Sequence, residues 1–293
     1  MTNVRESDLL AHIYANASER ADIVVGPGDD CAVVRTNAGG LLLLTTDQVV
    51  EGRHVEPTAP VELIARKAVA RSVSDIAAMG GTPTWALATG LLPDGYPHAK
   101  ELCDQLHRWS AHFGTPCVGG DIATGPGPLV LTVTVLGTPH PQRGPVLRSG
   151  ARAGDGLYVT GPLGGSLASG RHLTFEPRVE VATRLCDLLG DALHAMIDLS
   201  DGLGRDAGRI GEASGVTLEI QSALVPAHPD VASWREAVGD GEDYELLFAS
   251  SEEPPGELGC IRIGRVVEGG PGAVVIEGER RIDAGELGWD HGQ

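Results

Sequence analysis

Apolar positions recur along the chain in two alternating periods. Near helical spacing joins Val4, Leu9, Leu10, Ile13 and Ala17, predicting an amphipathic helix over 4–17. Short apolar runs at 22–25, 31–34 and 41–45 read as strands, broken by Gly26-Pro27-Gly28-Asp29-Asp30 and by Asn37-Ala38-Gly39-Gly40. Residues 45–54 leave the third strand as a polar loop. Helical spacing returns over 60–79, from a proline start to Gly80-Gly81, and again over 97–113. Strands are predicted at 85–92, at 117–118 (ending in Gly119-Gly120-Asp121) and at 129–136.

Periodicity lapses over 144–155, which is the expected boundary between an N-terminal domain, 1–145, and a C-terminal one, 146–293. The second half opens with a strand at 157–160 and the glycine-rich Gly161-Pro162-Leu163-Gly164-Gly165-Ser166. That stretch matches neither a Walker loop nor a full dinucleotide fingerprint and reads as a packing turn. Helices at 178–189 and 203–214 flank an apolar strand ending at Asp198, and another helix is expected near 229–238. Strands at 216–220, 244–249 and 261–267 complete the pattern. The alternation defines an α/β (α+β) chain, and 293 residues suffice for two cores.

Composition narrows the partners. A formal charge of −18 argues against nucleic acid or an anionic membrane surface. Residues 1–150 carry a net −4 and residues 151–293 a net −14, so the excess acid serves solubility more than substrate choice. Five scattered cysteines without a C-x-x-C pair fit a reduced, cytoplasmic protein and argue against a zinc site or a disulfide framework. No apolar run approaches the roughly 20 residues a spanning helix needs.

Candidate chemistry lies where apolar segments end. Asp198-Leu199-Ser200-Asp201-Gly202 closes an apolar run just before a helix, where unpaired N–H groups and the helix dipole suit phosphate. The two acids there would repel phosphate unless a cation stood between them. Taken alone, the stretch is equally an Asp cap followed by a turn glycine. Gly28-Asp29-Asp30, Thr45-Thr46-Asp47, Ser74-Asp75, Gly119-Gly120-Asp121 and Gly241-Glu242-Asp243 repeat the placement, which solubility does not explain. The chain has only two lysines, so clustered aspartates holding Mg²⁺ are the available means of neutralising nucleotide phosphates.

These blocks, together with Glu51-Gly52-Arg53-His54, Arg148-Ser149-Gly150-Ala151 and Gly241-Glu242-Asp243-Tyr244-Glu245-Leu246-Leu247-Phe248, resemble the thiamine-monophosphate kinase family in order and spacing. The resemblance implies an aminoimidazole ribonucleotide synthase-like fold of two α/β domains, the N-terminal mixed sheet forming a barrel across a homodimer. It implies Mg²⁺-dependent phosphorylation of thiamine monophosphate by ATP, with several metal ions and no covalent intermediate. By the same resemblance Asp30, Thr45, Thr46, Asp47, Asp75, Asp121, Asp198 and Asp201 hold metal, with Asp75, Asp121, Asp198 and Asp201 central to catalysis. Gly120, Asp121, Arg148 and Ser200 meet ATP, while His54, Glu242 and Trp289 face thiamine monophosphate, Trp289 by stacking on its ring. Asp240 departs from the family, which has glycine there.

An acceptor that is already a phosphate has a second pKa near 6, so a nucleophilic oxygen exists at pH 7 without a base. The motifs contain no Ser-His-Asp or Cys-His set, in keeping with direct transfer. Two other readings share the acid-rich site: an ATP-dependent relative of the ribonucleotide cyclo-ligase type, and a non-catalytic Mg-nucleotide sensor.

Overall fold

The computed structural model describes residues 6–288. Its first half runs α1 (Glu6–Ala15), β1 (Ile23–Val25), β2 (Ala32–Arg35), β3 (Leu41–Val50), α2 (Val61–Ala78), β4 (Thr82–Pro93), α3 (Ala99–His112), β5 (Cys117–Gly125) and β6 (Val130–Thr138). These strands form one mixed sheet, ordered β1-β2-β3-β6-β4-β5, in which only β4 and β5 pair in parallel. The second half runs β7 (Gly156–Val159), α4 (Ser166–Ser169), α5 (Val179–Leu189), β8 (Leu193–Asp198), α6 (Leu203–Ser214), β9 (Thr217–Gln221), α7 (Trp234–Gly239), β10 (Leu246–Ser250), β11 (Ile261–Val267), β12 (Gly272–Glu277) and β13 (Arg280–Asp283). Its sheet is ordered β13-β12-β9-β11-β7-β10-β8, with β9 and β12 parallel.

Helix α2 lies between the two sheets. It is buried nearly all round, touching β3 and β6 on one side and α5 and β8 on the other. Its alanines explain how both neighbours approach so closely. The β7, β8 and β10 strands are buried on both faces: Leu157, Val159, Ala195, Ile197, Leu247 and Ala249 pack under α6, while Tyr158, Met196, Leu246 and Phe248 pack toward α2 and α5. Their sequences are therefore almost continuously apolar rather than alternating.

Several expectations are corrected. β3 extends to Val50, so Thr45, Thr46 and Asp47 stand on a strand, not in a loop. Its polar end alternates faces, with Thr45 and Asp47 turned toward α2 and Thr46 away from it. β5 runs through Gly119-Gly120-Asp121 to Gly125. Gly120 permits this because a Cβ there would lie 1.7 Å from the Ala88 carbonyl oxygen. The β12–β13 hairpin was not anticipated, and α7 begins later than expected, at Trp234.

The first sheet covers one face with α2 and α3 and leaves the other open. On that open face Trp85, Leu87 and Leu91 are exposed, and the edge strand β5 is exposed along most of its length.

Candidate active site

Three chain segments converge at the C-terminal end of α2. Asp75 occupies its last turn, Asp198 ends β8, and Asp30 follows the Gly26–Asp29 turn. Oxygens of these three carboxylates lie within 4.8 Å of one another. Ser74 donates to Asp198 Oδ2 at 2.6 Å and Thr45 donates to Asp75, while Asp30 Oδ1 pairs with Arg148 at 2.6 Å. Asp30 Oδ2 is buried without a partner. Burial first, then the neighbouring carboxylates, push both Asp75 and Asp198 well above the usual aspartate range. Asp29, whose carboxylate accepts the Arg148 N–H at 3.1 Å, is raised to about 6 by burial and by Asp30. Such crowding is unfavourable without a cation and orders the ligands when one is bound.

The junction after Asp198 is built by close backbone approach. Gly202 takes φ +101°, and a Cβ there would meet the Gly239 carbonyl at 2.9 Å. Leu199 N–H donates to Glu245 O, Tyr244 N–H to Leu199 O and Glu242 N–H to Ser200 O, all at 2.8–2.9 Å, tying 199–200 to 242–245. Asp201 is not among the three gathered carboxylates: it pairs with Arg209, and its N–H donates to the wholly buried Asp206 at 3.0 Å. Burial raises Asp206 to about 7 against the opposing pull of Arg209.

Beside the carboxylates is a cavity of about 100 Å³ lined by His54, Ser200, Asp201 and Glu242, and also by Arg71 and Tyr244. His54 Nδ1 accepts the Val50 N–H at 3.0 Å, which places the proton of the neutral imidazole on Nε2. Glu242 and Tyr244 are the two described non-glycine residues at positive φ, 66° and 54°. Holding that pair of conformations costs about 1–3 kcal/mol each, a feature typical of functional loops. Glu242 is held by Lys67, whose Nζ lies 2.7 Å from the His54 carbonyl and 2.8 Å from His172 Nδ1. Burial acts to raise Glu242, yet His172 and Lys67 outweigh it and bring the carboxyl down to about 2. Burial in turn lowers Lys67 despite Glu242.

The glycine-rich 161–166 stretch is a packing turn, as expected. Asp243 accepts the Gly164 N–H, Asp240 the Gly165 N–H, and Ser166 donates to the Glu242 carbonyl, at 2.7–2.8 Å. Asp240 thus fastens this turn to the 240s loop.

Other predicted residues lie apart. Gly120 and Asp121 border a larger, mostly apolar cavity of about 520 Å³ between β4, β5 and α3. Asp121 pairs with Thr89 on the edge of the sheet, several strands from Asp47. Thr46 faces the open side, where it accepts from Thr134 at 3.0 Å. Trp289 lies outside the described residues.

Lys67, Arg71, Ser74 and Tyr244 were not singled out from sequence as site residues. The signal for three of them was present: Lys67, Arg71, Ser74 and Asp75 stand at helical spacing and so share one face of the helix. Tyr244 carries no such sign, because a buried tyrosine is ordinarily core.

Residues 28–138 match the family described as AIR synthase related protein, N-terminal domain, which fits the first sheet and its acidic junctions. The chain is 36% identical over 269 residues to the thiamine-monophosphate kinase of Rhodopirellula baltica, covering 85% of this chain and 83% of that one. It is 35% identical over 283 residues to the Escherichia coli K12 enzyme of the same name, covering 86% and 85%. A solved structure described as AaThiL complexed with AMPPCP and TMP superposes with a TM-score of 0.82 at 29% identity, covering 99% of this chain and 98% of that one. Fold and acidic site together define an enzyme of the AIR synthase-related class. Within it, the chain belongs to the thiamine-monophosphate kinase family.

Proposed function

We propose that this protein transfers the γ-phosphoryl group of ATP directly to thiamine monophosphate, giving thiamine diphosphate and ADP, with Mg²⁺ held by its aspartates. The observation that carries the reading is the Asp30–Asp75–Asp198 cluster, buried at Asp30 and Asp198 and half-buried at Asp75, with an unpartnered Asp30 oxygen. An all-oxygen carboxylate set suits Mg²⁺; Thr45 adjoins it by its bond to Asp75, and Asp47 is near enough for its charge to act on Asp75. Mg²⁺ held there by Asp30, Asp75 and Asp198 would supply the positive charge that offsets the phosphates.

The chain's own groups do the positioning. Arg148 and Ser200 are proposed to meet the nucleotide phosphates, with Gly120 and the apolar cavity beside it taking the base. His54 and Glu242 line the acceptor cavity, and Trp289 is proposed to cover the thiamine ring. Cys31, the thiol nearest the cluster, is buried, and burial and Asp75 push it well above the normal thiol range. It is therefore a thiol rather than a nucleophile, which favours direct transfer. The test is an acceptor comparison with ATP and Mg²⁺: thiamine monophosphate is phosphorylated and free thiamine, lacking an ionised phosphate, is not. Robust phosphorylation of thiamine, or none of the monophosphate, overturns the reading.

The working unit is proposed to be a homodimer joined through the open sheet face. Trp85, Leu87 and Leu91 supply an apolar patch there, and β5 offers an unpaired edge, features that ordinarily mark an interface. Thr46 and Asp121, which the fold of one chain leaves away from the acidic cluster, lie on the face that a second copy would cover. Sedimentation should give twice the chain mass for the parent and the chain mass for Leu87→Glu, with activity reduced in the variant. A parent sedimenting as a single chain contradicts the dimer.

No helix among the described residues is long and apolar enough to cross a membrane. All five cysteines are unpaired, which supports a reducing, cytoplasmic setting.

A further inference from the structure

Two cations stand on α2 beside the acceptor cavity, Lys67 fully buried and Arg71 partly so, and they are used differently. Lys67 is fully committed: Glu242, the His54 carbonyl and His172 Nδ1 surround its ammonium group, one partner for each of its donors. Arg71, one turn further along the same helix face, is not. Its Nη1 donates to the Gln48 carbonyl at 2.9 Å and its Nη2 to Asp47 at 3.3 Å, but Nε is buried with no partner. The Tyr244 hydroxyl, on the same cavity wall, is likewise buried and unpartnered. Tyr244 is itself immobilised by stacking on Phe175, with ring centroids 3.9 Å apart and planes within 14°.

Two unsatisfied buried donors on one small cavity, one of them a permanent charge, are costly in isolation. Both donate and, with the phenol neutral, neither calls for a cation. A phosphate oxygen is the complementary acceptor for either donor. Arg71 is also held rigid by a strand carbonyl and a carboxylate, so little further ordering is needed when an anion enters.

We propose that Arg71, with the Tyr244 hydroxyl on the same cavity wall, is a binding site for the phosphate of the acceptor, adding affinity for a phosphorylated acceptor to the chemical need for an ionised phosphate. The proposal rests on the reading of this cavity as the acceptor site. It differs from the metal-based part of that reading in assigning a fixed protein cation to the phosphate.

Arg71→Met removes the charge and keeps the stem; Arg71→Lys keeps the charge and loses the fork. A charge-assisted hydrogen bond is worth enough that Arg71→Met should raise the KM for thiamine monophosphate about ten- to a hundredfold, leaving the KM for ATP within about threefold. Arg71→Lys should recover part of the loss, and Tyr244→Phe should raise the acceptor KM by a smaller factor. Thermal protection by inorganic phosphate, measured with saturating Mg-AMPPCP so that the nucleotide site is filled, should be present in the parent and absent in Arg71→Met. An unchanged acceptor KM together with unchanged phosphate protection overturns the proposal and leaves Arg71 a counter-charge for Asp47. A proportional rise in both KM values overturns it too. The phosphate arm needs no turnover. If the parent fails to phosphorylate thiamine monophosphate, the proposed reaction falls, while loss or retention of phosphate protection in Arg71→Met still decides for or against the anion site.

Discussion

Asp198→Asn is expected to remove most turnover while leaving the metal-free protein at least as stable as the parent. Asparagine keeps the size of aspartate and can still accept the Ser74 hydroxyl, but it removes one of three crowded charges. Loss of a metal ligand at the reacting phosphates forfeits several kcal/mol of charge stabilisation, or roughly a hundredfold or more in rate. The pH dependence has a definite sign. Burial and neighbouring carboxylates hold Asp198 and Asp75 protonated in the fold to pH values well above those at which they ionise in the unfolded chain, near 4. The folded state thus binds more protons across that window. Apo stability is fully present below about pH 4 and declines as pH rises through the folded values. Asp198→Asn should flatten this decline and lose much of the stabilisation that Mg-ATP gives the parent at neutral pH. Melting temperatures across pH, with and without Mg-ATP, read both effects. A fall in apo stability with turnover preserved would make these aspartates caps and turn formers.

Lys67→Met should destabilise the fold by about 1–3 kcal/mol, because it takes the closest cation from a mostly buried Glu242 carboxylate and leaves it to His172 and Arg71. The ammonium group is fully buried and Glu242 nearly so. Adding Glu242→Gln should restore most of the stability, since the double variant buries no unpaired charge. The non-additivity of the cycle, measured by denaturant unfolding, is the diagnostic quantity. Glu242 also reaches the acceptor cavity, so Lys67→Met should raise the acceptor KM more than the ATP KM. Additive single-site effects, or an unaltered Lys67→Met stability, would contradict a paired Lys67–Glu242 core.

Much of this organisation was legible in the chain. The helices α2, α3, α5 and α6 follow the apolar periodicity, and α6 spans Leu203–Ser214 as its pattern predicts. Asp30, Asp75 and Asp198 stand in acid-bearing blocks where apolar segments end, the family resemblance named them as metal ligands, and the fold brings them together. What escaped was of two kinds. The strand character of Asp47 and of Gly119-Gly120-Asp121 was hidden because polar and glycine residues there face a site, an open sheet side or a close backbone contact rather than a core. The roles of Lys67, Arg71 and Tyr244 depend on which groups from distant segments meet them. Glu242 is 175 positions from Lys67, and nothing local announces that pairing. Asp121 shows a further limit, for its spacing from Asp75 gives no hint that the sheet edge would hold them apart within one chain.

The central claim is direct phosphoryl transfer onto a phosphate acceptor. Phosphorus NMR of the parent with ATP, Mg²⁺ and thiamine monophosphate follows every phosphate in the reaction at once. The γ signal of ATP should fall as thiamine diphosphate and ADP rise in equal amounts, with no comparable growth of inorganic phosphate. ATP conversion to ADP and inorganic phosphate with the thiamine monophosphate signal unchanged would contradict it.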